Sequence, residues 1–531
     1  MAEVLSPLHN KGLNLLASDE AFPDEASTDS GNVWFGAGGK MFTRNGSTSA
    51  AHNFPAAAGA SLELAVFEDT TYAGIGRAQL VFTGGRIYRM TNTPSGVDSP
   101  PVSVGTYTVP VGATVARRPQ AARFADTQTT PPAVTPYTIA VFGESPPQAI
   151  SALATAAVVH ADWTALNGYP RAVAAYGSRV WYACSTAFPS RLWVTDVGKA
   201  TTFTSPAVTS ADSFSLDMEL IDGGEIIAIQ HLYDILLVFT NRGIYRIVTT
   251  AGATAPYKAQ FVSQHVLAGP HALARAEGAV YFLTGAGVFV AKTTLTYGDI
   301  QAEEVSISIA PLFEQTAAWQ LSGAVMTYDT SKQLIHLLTE HNYVFVSAST
   351  QVPVLNAVAA LALLDAGQQA YPPSCTEVLT YDVRAQQWMR SYFETPIDFI
   401  VARDQGAGSV AIEAYHRTST LVLTEHVLFA AGVTTDSAVA FPSYFRSKVN
   451  AYQSLALRKT RMFVDSHVRS GSPTLSASVD KAAFVVSGVL ASGYSRRPIT
   501  GSGRSLQVEY SGATPWAVDS FSTNLNAGGR R

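Results

Sequence analysis

A short hairpin that recurs along the chain constrains the fold more than any other feature. Leu80 to Met90 reads LVFTGGRIYRM and Leu237 to Ile247 reads LVFTNRGIYRI, identical at seven of eleven positions. Tyr281 to Ala291, YFLTGAGVFVA, keeps the pattern: three apolar residues, Thr, a glycine-containing triplet, then three largely apolar residues. The triplets Gly84-Gly85-Arg86, Asn241-Arg242-Gly243 and Gly285-Ala286-Gly287 supply residues that tolerate positive φ, as tight hairpin turns require. Each unit therefore reads as two short apolar strands around a turn.

The second and third copies start 44 residues apart, the length of one four-stranded propeller blade. Leu338-Thr339-Glu340-His341 recurs 85 residues later as Leu423-Thr424-Glu425-His426, which reads as about two blades. Tyr381 to Trp388 looks like strand, turn and strand, with Tyr328 to Leu334 as its counterpart a blade earlier. Gly168 to Val194 adds a unit whose strands are Arg179 to Tyr182 and Arg191 to Val194. These spacings predict an all-β chain whose body, residues 61–440, is a β-propeller of six or seven blades. Radial packing of short sheets protects their edges. Tandem β-sandwiches would also show short strands but do not explain the 44-residue period. Residues 93–165 carry no matching motif.

Two regions flank the body. Residues 1–60 are rich in Gly, Ser and Ala with few strand signals, and read as an extended N-terminal arm. Residues 441–531 alternate: Leu475, Ala477 and Val479 stand between polar residues, as do Leu506, Val508 and Tyr510. Period two predicts a half-buried antiparallel sheet, hence a small C-terminal β-sandwich.

Charge separates the same regions. Residues 441–531 hold 12 Lys/Arg and four acids, a balance of +8. The remaining 440 residues hold 23 basic and 36 acidic side chains, a balance of −13. Such asymmetry suggests that the terminal segment meets an acidic surface. Its cations are scattered through strands and are not interleaved with aromatics as in a single-strand nucleic-acid groove. Subunit or adaptor contact is the expected role of Arg458, Lys459, Arg461, Arg496, Arg497 and Arg504. The first three are expected just ahead of a strand at Met462 to Val464.

Signals for chemistry are sparse. Cys184 and Cys375 are too few for a disulfide framework or zinc cluster. Gly36 to Lys40 lacks the spacing and the Ser/Thr of a phosphate loop. His336 and His341 are five apart, on opposite faces of a strand. The sequence predicts no enzyme, cofactor or metal. The alternative is a propeller glycoside hydrolase, or depolymerase, acting on host surface polysaccharide, which requires two carboxylates on one cavity. No basic-then-apolar leader is visible, and the apolar run Ala357 to Leu364 is far short of the roughly 18 residues a membrane helix needs. The expectation is a protein made in a cytosol without a membrane span.

Several stretches resemble the tail hub, or nozzle, proteins of short-tailed bacteriophages, also described as packaged-DNA stabilisation proteins. Gly31-Asn32-Val33-Trp34 with Gly38-Gly39-Lys40-Met41-Phe42-Thr43-Arg44-Asn45-Gly46 is similar to an opening line of such proteins. Gly168-Tyr169-Pro170-Arg171, Arg179 to Tyr182 and Pro189 to Val197 resemble their signature, as does Leu236 to Arg246. Gly503 to Glu509 followed by Trp516-Ala517-Val518 resembles their closing strands. The resemblance implies a homohexameric ring below the head-to-tail adaptor that closes the DNA channel until ejection. It also implies tail fibres or spikes as neighbours, double-stranded DNA passing without sequence-specific binding, and a place in the virion tail after synthesis in the host bacterial cytoplasm.

Overall fold

The computed structural model describes residues 2–5, 12–15, 27–35, 40–54, 64–72, 76–92, 100–109, 118–127, 135–151, 157–160, 163, 165–202, 209, 211–218, 220, 224–250, 257–293, 300–314, 321–347, 350–354, 375–393, 397–406, 409–417, 423–431, 433, 435–436, 443–447, 450–451, 459–500, 505–512 and 514–527. Five strands come from the first 54 residues: β1 (Ala2–Leu5), β2 (Asp29–Gly31), β3 (Val33–Phe35), β4 (Met41–Thr43) and β5 (Thr48–Phe54).

Seven antiparallel sheets then follow in chain order. The first holds β6 (Leu64–Tyr72), β7 (Gly76–Thr83), β8 (Arg86–Asn92) and β9 (Val102–Thr106). The second holds β10 (Gln120–Asp126), β11 (Thr135–Val141), β12 (Gln148–Ser151) and β13 (Val158–Val159). The third holds β14 (Ala172–Tyr176), β15 (Arg179–Ala183), β16 (Arg191–Val194) and β17 (Phe214–Asp217). The fourth holds β18 (Ile226–Leu232), β19 (Ile235–Thr240), β20 (Gly243–Thr249) and β21 (Tyr257–Ser263). The fifth holds β22 (Leu273–Ala276), β23 (Ala279–Leu283), β24 (Val288–Thr293) and β25 (Ile300–Glu304), before the short helix α1 (Ala310–Glu314). The sixth holds β26 (Val325–Asp329), β27 (Leu334–Ser347), β28 (Thr350–Val354), β29 (Cys375–Asp382) and β30 (Gln387–Phe393). The seventh holds β31 (Phe399–Gly406), β32 (Ser409–Arg417) and β33 (Leu423–Leu428), and its fourth strand is β5.

The first strand of every sheet is innermost: Phe67, Gln120, Val173, Gln230, Leu273, Met326 and Ile400 all line one axial cavity. Radial four-stranded sheets around a common axis make a β-propeller. The expected all-β class follows, with helix among the described residues limited to α1, two 3-10 turns and Leu321–Ser322.

The recurring hairpin is the middle pair of a sheet, namely β7–β8, β19–β20 and β23–β24. In the second and third copies its Thr closes the turn. The Thr240 hydroxyl donates to the Gly243 carbonyl (2.8 Å) and accepts from the Arg242 N–H (3.1 Å). Thr284 does the same with Gly287 and Ala286 (3.0 and 3.1 Å). Gly243 sits at φ 147°, where a Cβ would lie 2.4 Å from the Ser263 carbonyl oxygen. Only glycine fits there.

Two spacing expectations are corrected. Leu338 lies on β27, the second strand of the sixth sheet, whereas Leu423 opens β33, the third strand of the seventh. Their 85-residue separation therefore spans adjacent sheets, not two blades, because extra chain lies between β27 and β29. Tyr328 and Tyr381 likewise flank β27 in one sheet. Within 93–165, where no motif was visible, the second sheet forms around buried Ile139, Val141 and Ala149.

The terminal segment contributes β34 (Ser443–Arg446), β35 (Asn450–Ala451), β36 (Lys459–Ser470), β37 (Thr474–Val479), β38 (Val485–Val489), β39 (Gly493–Ile499), β40 (Ser505–Gly512) and β41 (Ala517–Ala527). Leu475 faces Tyr510 and Ala477 faces Val508 across β37–β40, and all four are buried. Two sheets result: β3-β4-β41-β36-β39 with β1 beside β41, and β2-β34-β40-β37-β38 with β35 beside β40. Residues 1–60, read from sequence as an arm with few strands, thus supply one strand to the propeller and four to these sheets. Trp34 meets Phe429 at a tilt (ring centroids 4.8 Å apart) and Phe35 meets Phe445 edge-to-face (6.1 Å), so one hydrophobic core runs through both bodies.

Candidate functional site

The six predicted interface cations separate. Arg458 and Arg504 lie outside the described residues. Lys459 and Arg461 belong to β36 itself, opposite Ala527 and Asn526 of β41, not ahead of a strand. Arg496 and Arg497 are adjacent on β39, so they project to opposite faces. Arg496 lies directly across from Asp465 and grips its carboxylate with two hydrogen bonds (2.6 and 2.8 Å). Arg497 donates to the Val489 carbonyl (2.7 Å), tying β39 to β38. The structure brings these two together and shows both engaged within the chain.

The same holds for other charges of the segment. Arg469 pairs with Asp519, and Arg446 pairs with Glu509 (2.7 Å) and Asp29 (3.2 Å). With the Tyr444 hydroxyl on Asp29 (3.1 Å), this group fastens β2 to β34 and β40. Arg390 of the sixth sheet extends it by approaching Asp29 (3.8 Å) and gripping buried Glu377. Burial and the Asp29 carboxylate push the Tyr444 phenol well above its ordinary range, so it stays a donor.

A second junction centres on Arg44, 1% exposed. Its guanidinium forks onto buried Asp436, donates to Asn32 Oδ1 (2.8 Å) and to the Tyr392 carbonyl (2.6 Å), and covers the Phe393 ring (4.0 Å). Asn32 adopts φ 57° and its side-chain oxygen also accepts the Tyr392 N–H (2.7 Å). Gly46 passes so close to Thr435 that a Cβ would meet its carbonyl oxygen at 2.0 Å. Sequence reasoning picked out Asn32, Arg44 and Gly46 only as a resemblance. Their partners Tyr392 and Asp436 are more than 340 residues away, with no local signal.

Inside the seventh sheet, Arg403 meets Glu413 (2.7 Å) and lies 4.0 Å from Glu425, while Gln79 donates to Glu413 (2.6 Å). Both carboxylates are 1% exposed, so this pair is sealed from any substrate. His336 is buried, bonded to Thr380 (3.0 Å) and stacked on Phe429; burial lowers its pKa. Asp480 accepts the Ser505 N–H (2.8 Å) in a turn. Among the described residues no three His, Cys, Asp or Glu side chains converge as a metal site.

Two cavities stand out among the described residues. The axial one has about 230 Å³. A larger one of about 350 Å³ opens beside it, on the face where the inner strands begin. Arg118, Arg171, Glu225, Asn241, Cys184 and Phe142 are among its walls. Arg171 pairs with Glu225 (3.1 Å), and the Cys184 thiol donates to the same carboxylate (3.2 Å). Burial foremost, with Glu225 adding to it, pushes that thiol far above its ordinary pKa, so it is no nucleophile.

No family model and no curated protein matches the chain. Solved structures of similar outline include the WD40 β-propeller domain of Doa1, 7% identical, covering 72% of this chain and 97% of that one at TM-score 0.34. A putative 6-phosphogluconolactonase from Bacteroides fragilis is 12% identical, covering 68% and 93% at TM-score 0.35. An exo-β-1,3-galactanase from Phanerochaete chrysosporium is 6% identical, covering 66% and 95% at TM-score 0.23. At these scores the likenesses carry no argument about function.

Proposed function

We propose that the chain is a structural component of a bacteriophage tail: the hub or nozzle ring below the head-to-tail adaptor that retains the packaged genome until ejection. The observation that carries this reading is the interlock. Strands β2 to β5 are woven into both β bodies, with the Arg44–Asp436 pair buried at one seam and the half-buried Arg446–Asp29 pair at the other, as suits a part that bears load between neighbours. The seven sheets are read as seven blades. Charged residues are only 14% of the chain, against about 25% in typical soluble proteins, which suits surfaces covered by other subunits.

An axial cavity of about 230 Å³ holds a handful of waters. It does not pass a duplex whose major groove alone is about 12 Å wide. DNA would run between copies arranged in a homohexameric ring, contacting an acidic lining that does not hold it. Adaptor, fibres or spikes, and a place in the virion tail follow from that assembly. The hydrolase alternative needs two carboxylates on one cavity, and Glu225 is the one carboxylate among the described residues lining the larger cavity.

The test is mass spectrometry of purified virions with negative-stain imaging of the protein, alone and with its adaptor. Rings that dock on the adaptor are expected. A chain absent from virions that stays monomeric with every neighbouring gene product would end the proposal.

A further inference from the structure

One side of the C-terminal sandwich ends in two edge strands. Among the described residues β38 pairs with β37 alone and closes one sheet, and β39 closes the other. Val485, Val486 and Val489 of β38 are exposed, Val486 to 65%, and so is Tyr494 of β39. Neighbours on a strand project to opposite faces, so exposure of both Val485 and Val486 leaves β38 bare on each side. Edge strands that avoid pairing carry charges or proline. β39 has Arg496, Arg497 and Pro498, whereas β38 has neither charge nor proline and only a bulge opposite Leu475–Ser476.

The surroundings of this open edge are basic. Residues 480–508 hold Lys481, Arg496, Arg497 and Arg504 against Asp480, a balance of +3. Arg496 holds Asp465, while Arg497 donates to a neutral acceptor, the Val489 carbonyl. Pairing two copies of β38 with each other would set like charges together, so the complementary edge is a different and acidic one.

The propeller offers such an edge among the last strands of its sheets. β5, β9 and β13 contain no acid, β21 contains Lys258, and β30 is buried. β17 contains Asp217, which Arg191 holds with two hydrogen bonds. β25 ends on Glu303 and Glu304, and residues 277–304 hold four acids and one lysine, a balance of −3. Among the described residues β25 pairs with β24 alone, with Gln301 and Glu303 exposed and Ile300 and Ala302 half-buried. Glu303 meets Lys292 at the surface, where such a pair adds little to folding and can exchange partners.

We infer that β38 of one copy pairs edge to edge with β25 of the next, its valines against Ile300 and Ala302 and its flanking arginines toward Glu303 and Glu304. This rests on the ring reading above and supplies its contact. Five residues face five, and every copy offers one edge of each kind, so the contact is heterologous and passes from copy to copy.

Sedimentation velocity of the full chain at about 0.1 M salt tests this, with adaptor added where the chain alone stays monomeric. Val486→Asp, and Glu303→Lys with Glu304→Lys, are each expected to weaken self-association about tenfold or more at unchanged melting temperature. Mixed in equal amounts, the two variants should form dimers that grow no further, because the first keeps an intact β25 and the second an intact β38. Val489→Asp repeats the β38 arm should Val486→Asp lower the melting temperature. Assembly of the native chain that neither variant disturbs, or a mixture without dimers, would overturn the inference and leave the ring standing. A native chain that is monomeric even with adaptor would end the ring reading and this contact with it. Two other outcomes assign the edge elsewhere and also overturn the inference. In one, Val486→Asp forms normal rings that no longer hold the adaptor; in the other, it assembles normally but no longer co-sediments with phosphatidylserine vesicles that the native chain binds.

Discussion

Arg44 is fully buried and joins the N-terminal segment to the sixth sheet and to Asp436, so its removal strands a carboxylate in the core. Breaking a buried pair from one side costs about 3–5 kcal/mol, while replacing both partners is far milder. Arg44→Met is therefore expected to lower unfolding free energy by that amount, and Arg44→Met with Asp436→Asn to recover much of it. Urea titration of the three variants checks this; a single-variant loss under about 1 kcal/mol would show the pair to be dispensable. Buried histidines set a second expectation. Burial lowers the His160 pKa from the ordinary 6.5 to about 4, and its ring meets the Tyr182 hydroxyl at 3.3 Å. The unfolded chain takes up a proton below about pH 6.5 whereas the folded one waits until about 4. The contribution of neutral His160 is thus complete above pH 6.5 and is lost as pH falls toward 4. At pH 5 this amounts to about 2 kcal/mol. His336, also buried, shifts in the same direction. Melting curves from pH 7.5 down to 5 should fall more steeply for the native chain than for His160→Gln; parallel curves would refute the assignment.

At the scale of elements, legibility followed local closure. The β7–β8, β19–β20 and β23–β24 hairpins could be read because strand, tight turn and strand lie within eleven residues, with a Thr sealing the turn in the last two. The β37–β40 sheet could be read from its alternation alone. By contrast β2, β3 and β4 have three residues each, too few to display a period; β3 pairs only with β4, and β2 and β4 close on strands about 410 to 480 residues later. The Arg403–Glu413–Glu425 group was equally invisible, because its members meet across neighbouring strands and no spacing encodes that. The cavity with Arg171 and Glu225 gathers side chains from three separate sheets, so it left no linear motif. A consequence can be measured: residues 441–531 expressed alone lack β1 to β4 and should show no cooperative thermal transition. Adding the peptide 27–47 in trans should restore a strand-type circular dichroism signal. A sharp melting transition of the isolated segment without the peptide would show the sandwich to be self-sufficient.

For the whole molecule the charge imbalance remains the open resource. Of the four acids in residues 441–531, Asp465, Glu509 and Asp519 are taken up by Arg496, Arg446 and Arg469, and Asp480 caps a turn. Three of those acids each cancel one cation within the segment, and the segment as a whole keeps its +8 surplus. The chain carries −13 elsewhere, so the two portions differ in the sign of their net charge on every copy. Two unlike patches on one chain are what a closed ring needs, because each copy then meets its neighbour head to tail. Single surface pairs contribute about 0–1 kcal/mol, so no one substitution should dissolve such a ring. Summed over an assembly they decide it, and salt weakens them as the Debye length falls from about 10 Å at 0.1 M to about 3 Å at 1 M. Reversing Arg458, Lys459 and Arg461 together to Glu is therefore expected to leave the propeller folded while impairing ring formation or adaptor docking. Size-exclusion chromatography with light scattering, with and without adaptor and across salt concentrations, reads the outcome. Normal, salt-insensitive assembly of the triple variant would mean that these cations face DNA or another surface, and filter binding to duplex DNA would then separate those two.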